Sequence, residues 1–317
     1  MVSIVIPLYN KEQSICKTIE SVLQQTYTDF ELIVVDNGST DGSLIEVSKI
    51  HDKRIRLLHQ PIRGVSAARN MGIRASNTEY VALLDGDDLW DKSCLMELVQ
   101  LTKDFPDAGI CGVNYADISD GKILPYNQGL QSEYRDYVND YFGTSHGDLF
   151  CSSSVILNKN IAISVGLFDE RIAYAEDLDF WYRIILNSKV VFYNKVLAYY
   201  NKDAENRAEE NINAHFDIYK RMDFYIDKYV LHINDNIAFA KFICIRVAWN
   251  ILSGNYYFGN RHDREATDKI VQYLAYEHMP YKYRLIFRTP RFIGRVIYVL
   301  TKLLKKLNND TIRRSNK

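Results

Sequence analysis

At 317 residues the chain is long for one domain and short for three, and its 47% hydrophobic and 13% aromatic content is ample for a sizeable core. The formal net charge of −1 conceals a split, because residues 280–317 carry eleven Lys/Arg against Asp310 alone and the residues before them sum to −11. A basic terminal segment of this kind points to an anionic partner, whereas five scattered cysteines without a CxxC pair argue against a disulfide framework and for a reduced, cytosolic compartment.

The opening VSIVIPLYN has neither a basic leader nor a small-residue cleavage site, so no signal peptide is expected. No apolar run reaches the roughly 18 to 20 residues that a bilayer span needs, and the body is expected to be soluble. Through the first 85 positions, the strand-like runs VSIVIPL, FELIVVD, RIRLLH and YVALLD alternate with the helical patterns SICKTIESVLQQ, SLIEVSKI and SAARNMGIRAS. That alternation predicts βαβ units and a mostly parallel sheet, with ligands outside the carboxyl ends of the strands. A further helix is expected over 91–104, and a strand over AGICGVNYADIS. The Gly- and Tyr-rich stretch from about 120 to 149 reads as a loop region. FCSSSVIL reads as a buried strand, EDLDFWYRIIL as a helix, and KVVFYNKVLAYY as one or two closing strands. Helical periodicity then takes over, which divides the chain into a catalytic-type α/β domain, 1–204, and a helical region, 205–317.

The segments that follow the strands are polar and turn-like. In LLDGDDLW, Asp85, Asp87 and Asp88 crowd behind the fourth strand and Gly86 allows a tight path. Unpaired carboxylates so close repel, which makes a hard divalent cation shared with phosphate oxygens one natural partner. The other reading is capping of the helix that follows, for which Asp88 and Asp91 are the better placed, leaving Asp85 and Asp87 available. Asp36 and Asn37 in DNGSTDG could read a nucleotide base or simply build a turn. Arg69 in GVSAARN could answer a diphosphate, although its segment alone favours a solvated helix face. Glu176, Asp177 and Asp179 open the EDLDFWYR helix, where they could cap it or supply a general base.

In order and spacing, VSIVIPLYN, SVLQQTYTDFELIVVDNGSTDGS, RGVSAARNMGI, YVALLDGDDLW and GLFDERIAYAEDLDFWYRI resemble the glycosyltransferase family 2 enzymes of the GT-A fold, over about residues 2 to 200. The resemblance implies a nucleotide-diphosphate sugar donor and a saccharide or lipid-linked saccharide acceptor in cell-surface glycan synthesis. It implies a pocket for the nucleotide base lined by Pro7, Tyr9 and Asp36, with Asn37 and Arg69 as neighbours, and Asp85 and Gly86 near the ribose or sugar. Asp87 of the DxD motif would bind Mn2+ or Mg2+, and Asp177 would deprotonate the acceptor hydroxyl in a single displacement with inversion. Two positions depart from the family pattern. Asn37 stands where many relatives have a second aspartate, and AYYNKDAEN lacks the Arg and His that many carry after the closing strands.

Within RFIGRVIYVLTKLLKKL, residues 291–307, a helical wheel gathers Arg291, Arg295, Lys302, Lys305 and Lys306 into an arc of about 100 degrees opposite nine aliphatic and aromatic residues. A basic amphipathic helix is expected. It could dock on the protein itself, but the concentration of cations favours peripheral attachment to an anionic membrane surface at the cytoplasmic face. Nucleic acid is disfavoured, since these cations alternate with aliphatics rather than exposed aromatics. The absence of GxGxxG after the first strand strongly disfavours a dinucleotide oxidoreductase, and no Walker loop is present. A metal-dependent nucleotide-sugar hydrolase and a non-catalytic, membrane-attached sugar-nucleotide binding protein remain as alternatives that share the same pocket.

Overall fold

The computed structural model describes residues 1–126, 129–144, 149–172, 176–207 and 236–250, together with Tyr281, Ile293 and Val296. The chain divides into two compact units, Met1–Ile212 and Asn213–Lys317.

In the first unit, β1 (Val2–Leu8), α1 (Ile15–Leu23), β2 (Phe30–Asp36), α2 (Ser43–Ser48), β3 (Ile55–His59), α3 (Val65–Ala75) and β4 (Tyr80–Leu83) alternate strictly. After them come β5 (Leu89–Trp90), α4 (Cys94–Asp104), β6 (Ala108–Ser119), β7 (Lys122–Pro125), β8 (Arg135–Tyr137) and α5 (Tyr141–Thr144). A 3-10 turn (Ser152–Ser154), β9 (Val155–Asn158), α6 (Lys159–Ser164), α7 (Glu176–Asn187) and β10 (Lys189–Asn201) complete the described part of this unit. The strands form one sheet in the order β3-β2-β1-β4-β9-β6-β10-β5, with β7 beside β6 and β8 beside β10. The run β3-β2-β1-β4 is parallel, and antiparallel pairing enters where β9 inserts between β4 and β6.

The inner parallel strands β1 and β2 are predominantly apolar runs because both their faces are covered, whereas the edge strand β3 is only partly buried. All seven residues of β1 are buried, as are six of the seven in β2. Burying each Ile, Leu or Val of this stripe contributes about 1.5–3 kcal/mol. Ile15, Ile19 and Val22 recur at four and three residues along α1 and bury that face. α3 lies so close to β1 that a Cβ on Gly72 would fall 2.3 Å from Val5 Cγ1, so the sequence needs glycine there.

Two local expectations are corrected. Only the VIL end of FCSSSVIL is strand, because the serines turn into a 3-10 helix whose Ser153 hydroxyl serves the DGDD turn. The region 120–149 holds the short strands β7 and β8 and the helical turn α5. The first unit runs to Ile212, and Glu205 and Asn206 within it are hydrogen-bonded to Lys11, Ser14 and Tyr9.

In the second unit α8 (Ile237–Asn250) buries Phe239 and Ala240. Ile293 and Val296 lie in helical backbone with 39% and 57% of their surface exposed, and the rest of the basic segment 280–317 apart from Tyr281 lies outside the described residues. Among the described residues, no helix is long and apolar enough to cross a membrane, and the four described cysteines are free thiols.

Candidate active site

The carboxyl ends of β1, β2 and β4 meet along one edge of the sheet. Leu8 pairs with Asp36, Asn37 N–H donates to the Leu8 carbonyl at 2.8 Å, and Leu84 N–H to that of Val5 at 3.1 Å. This edge carries the DGDD turn, and each of its three acids has its own partner. Asp85 Oδ1 accepts from Arg69 Nη2 at 2.6 Å, and Asp87 Oδ2 from Lys11 Nζ at 2.6 Å. Asp88 accepts from Asn201 N–H at 2.9 Å and from the Ser153 hydroxyl. The charge is therefore held by two cations and two neutral donors from four separate segments.

Asp88 does not cap a helix. It is fully buried at the core end of the turn, and burial together with the Asp87 and Asp85 charges pushes its pKa well above the usual carboxylate range. Asp91 does serve the start of α4, accepting from Ser93 N–H at 2.9 Å and from its hydroxyl at 2.7 Å. Ser153 ties the turn together: its hydroxyl also accepts from Asp85 N–H at 3.0 Å, while its carbonyl accepts from Trp90 Nε1 at 2.6 Å. Gly86 lies in tight quarters, since a Cβ there would stand 3.1 Å from the Pro7 carbonyl oxygen. Burial raises the Asp87 pKa, and the Lys11 ammonium works against that rise.

On the β1–β2 side, Pro7 is buried one residue before the end of β1, and Tyr9 follows the strand with Arg63 stacked over its ring, guanidinium carbon 4.5 Å from the centroid. Asp36 is buried, accepts from Ser39 N–H at 3.0 Å and Gly38 N–H at 3.3 Å, and meets His59 Nδ1 at 2.9 Å. Asn37 bonds Gly64 both ways, donating to its carbonyl at 2.7 Å and accepting from its N–H at 3.0 Å. The amide thus fixes the approach to α3, a task a carboxylate could do only by half.

Arg69 is buried, contrary to the surface position its segment suggests. Its two terminal nitrogens divide between Asp85 at 2.6 Å and Glu176 at 2.8 Å, while Nε has no hydrogen-bond partner. Burial opposes its charge, but Asp85 and Glu176 outweigh it and its pKa is raised. This fork brings the start of α7 up to the DGDD turn and so sets Asp177 beside it. Burial, and then the neighbouring Glu176 carboxylate, push the Asp177 pKa from 3.8 up to about 7, with Arg69 pulling the other way. A carboxylate so tuned matches a general base at neutral pH. Asp179 serves structure: it is fully buried and holds Arg183 at 2.7 Å, four residues on.

Among the described residues no group of three His, Cys, Asp or Glu side chains could hold a metal ion. The chemistry at Asp87 nonetheless fits a hard cation. The Lys11 ammonium stands as a cation among three oxygens, Asp87 Oδ2 at 2.6 Å and the carbonyls of Glu205 at 2.6 Å and Asn206 at 3.1 Å. An ion with a single protein carboxylate completes its shell from diphosphate and water oxygens. Sequence reasoning missed Lys11, Ser153 and Glu205. Only Lys11 left a signal, as a cation two residues past Tyr9 on the edge that carries the acids.

The family model for glycosyl transferase family 2 matches residues 3–163. Glycosyltransferase GlyG of Streptococcus pneumoniae serotype 4 is 32% identical over 214 residues, 64% of this chain and 71% of that protein. The Escherichia coli protein WfgD, a UDP-Glc:alpha-D-GlcNAc-diphosphoundecaprenol beta-1,3-glucosyltransferase, is 41% identical over 91 residues, 28% of this chain and only 36% of WfgD. Among solved structures, S. aureus TarS 1–349 in complex with UDP-GlcNAc superposes with a TM-score of 0.72 at 18% identity, covering 87% of this chain and 82% of that one. The mixed α/β sheet with its DGDD turn, the Arg69 fork and these matches lead to one conclusion: the chain belongs to glycosyl transferase family 2.

Proposed function

We propose that the protein is an inverting glycosyltransferase that moves a sugar from a uridine diphosphate sugar to a hydroxyl of a saccharide or lipid-linked saccharide. The observation that carries this reading is the Arg69 fork, which brings a carboxylate with a pKa raised to about 7 up to the acid turn of a nucleotide-sugar fold. The nucleotide and acceptor classes are supported by the UDP-GlcNAc in the TarS structure and by the name of WfgD.

In this reading Pro7, Tyr9, Asp36 and Asn37 form the base pocket, and Asp85 and Gly86 face the ribose or sugar. Arg69 acts through Asp85 rather than on the diphosphate, because both its terminal nitrogens are engaged. Asp87 holds Mn2+ or Mg2+; when bound, such an ion neutralises charge that grows on the leaving diphosphate. Support for the metal comes from the oxygen cage around Lys11 and from a weaker structural likeness, TM-score 0.51 at 17% identity, to GalNAc-T7 with UDP, GalNAc and Mn2+. Asp177 takes the proton of the acceptor hydroxyl as its oxygen attacks the anomeric carbon. The carbon–oxygen bond to the diphosphate breaks on the opposite face, so configuration inverts.

A thermal-shift screen of UDP, GDP and dTDP sugars with Mn2+ or Mg2+, followed by turnover of the best donor, tests the proposal. Stabilisation by UDP sugars and a glycosylated product are expected. Hydrolysis without transfer to any acceptor would instead support the hydrolase reading.

The basic segment is proposed to hold the enzyme on an anionic membrane surface. Ile293 and Val296 share the apolar side of the expected helix and are exposed, and each cation near such a surface contributes about 1 kcal/mol. Full-length protein should float with anionic liposomes, and Lys302→Glu, Lys305→Glu and Lys306→Glu together should abolish flotation. Unchanged flotation refutes the tail's role.

A further inference from the structure

Lys11 lies in the loop that leaves β1, and the transfer described above makes no use of it. An ammonium has three N–H donors. Asp87 Oδ2 at 2.6 Å, the Glu205 carbonyl at 2.6 Å and the Asn206 carbonyl at 3.1 Å take all three. The Lys11 and Asp87 side chains are 12% and 16% exposed, so the pair is largely shielded from water. While these bonds stand, no Lys11 proton is left to point at a ligand.

The wall that supplies the two carbonyls is anchored independently of Lys11. The Glu205 carboxylate accepts from Gln13 N–H at 2.9 Å, from Ser14 N–H at 3.2 Å and from the Ser14 hydroxyl at 2.5 Å. It thereby caps α1, whose Ser14 forms no side-chain cap of its own. Asn206 Nδ2 donates to the Tyr9 carbonyl at 3.4 Å. The cage is thus built of hard oxygens held by the fold, and its cation arrives on a flexible four-carbon stem that can withdraw. A divalent ion on the same carboxylate would stand a few ångströms from the ammonium, and two cations that close in a shielded site repel strongly.

We propose that Lys11 is a tethered occupant of the cation position at Asp87, and that a divalent ion reaches this carboxylate by displacing the ammonium. The proposal rests on the reading of Asp87 as the metal-binding carboxylate. Without donor, Lys11 keeps the acid turn neutralised. When the ion arrives with the diphosphate, the ammonium swings out and the Glu205 and Asn206 carbonyls lose a shared donor. Lys11 is a positioning residue in this scheme, and it sets the concentration of metal at which the site fills.

The test is titration of the full chain with Mn2+ at saturating UDP, with free Mn2+ followed by electron paramagnetic resonance. Lys11→Met is expected to bind Mn2+ about tenfold tighter than the unsubstituted chain, since the competing cation is gone. Equal or weaker binding overturns the displacement. Asp87→Asn separates the two levels: undiminished Mn2+ binding in that variant, or no binding by the unsubstituted chain and Lys11→Met, overturns the metal reading itself. Loss of binding in Asp87→Asn without a gain in Lys11→Met removes the displacement alone. A second readout needs no substitution. Acylation of lysines in the unsubstituted protein, read by mass spectrometry, is expected to label Lys11 severalfold faster when Mn2+ is added. Unchanged labelling overturns the proposal even if Lys11→Met fails to fold.

Discussion

Replacing Arg69 with leucine removes the cation on which two parts of the site converge. The guanidinium is 4% exposed and holds Asp85 at 2.6 Å and Glu176 at 2.8 Å through different nitrogens. Leucine keeps apolar contact near Phe168, whose ring centre lies 5.2 Å from the guanidinium carbon, but both carboxylates lose their counter-charge. Breaking one buried pair costs about 3–5 kcal/mol. Asp85 is 26% exposed and Glu176 12%, so water recovers part of the loss at Asp85. The expected destabilisation is therefore about 3–5 kcal/mol in total rather than twice that. Arg69 also lowers the Asp177 pKa, so its removal moves the rising limb of the pH–rate profile to higher pH. Urea unfolding at pH 7.5 measures the first effect and initial rates from pH 5 to 9 the second. A loss below about 1 kcal/mol with an unmoved profile would show that the fork neither supports the fold nor touches the base.

Asp177→Asn is expected to lower turnover by about 10²–10⁴ while donor binding, read by thermal shift, stays unchanged. The same variant should gain stability at alkaline pH. The folded-state pKa of Asp177, about 7, lies above its ordinary 3.8, so the native state holds a proton that the unfolded state releases. Its contribution to stability is complete below about pH 4 and is lost as pH rises through about 7, which predicts an Asp177→Asn advantage of about 2 kcal/mol at pH 8 and none at pH 3.5. Transfer by the unsubstituted enzyme should rise with pH through about 7, the pKa of Asp177, and a flat profile from pH 5 to 8 contradicts the base role. Gly72→Ala should destabilise by about 1–3 kcal/mol in urea, because its Cβ would fall 2.3 Å from Val5 Cγ1.

The parallel half of the sheet was legible in the sequence because strands covered on both faces read as predominantly apolar runs, as VSIVIPL and FELIVVD do. The polar residues that follow them mark the edge where a ligand fits, which is how Asp36, Asp85 and Asp87 came into view. What the sequence hid was partnership across distance. Arg69 looks like a helix-surface cation until Asp85 and Glu176, 16 and 107 residues further along the chain, close on it. Asp88 resembles a helix cap, yet its partners Ser153 and Asn201 lie 65 and 113 residues away. The serines of FCSSSVIL sit between apolar residues and so mimic a strand, although they form a 3-10 helix from which the Ser153 hydroxyl reaches the DGDD turn. The oxygen cage of Lys11 needs carbonyls 194 and 195 residues on, and carbonyls carry no side-chain signature at all.

The most direct measurement is a crystal structure of the full chain with a UDP sugar and Mn2+. The predicted result is Mn2+ held by the Asp87 carboxylate beside the diphosphate, uracil beside Tyr9 and Asp36, and the Asp177 carboxylate facing the anomeric carbon from the side opposite the leaving group. A nucleotide bound away from the edge of β1, β2 and β4, or an Asp87 carboxylate still held by Lys11 with the donor in place, would contradict it.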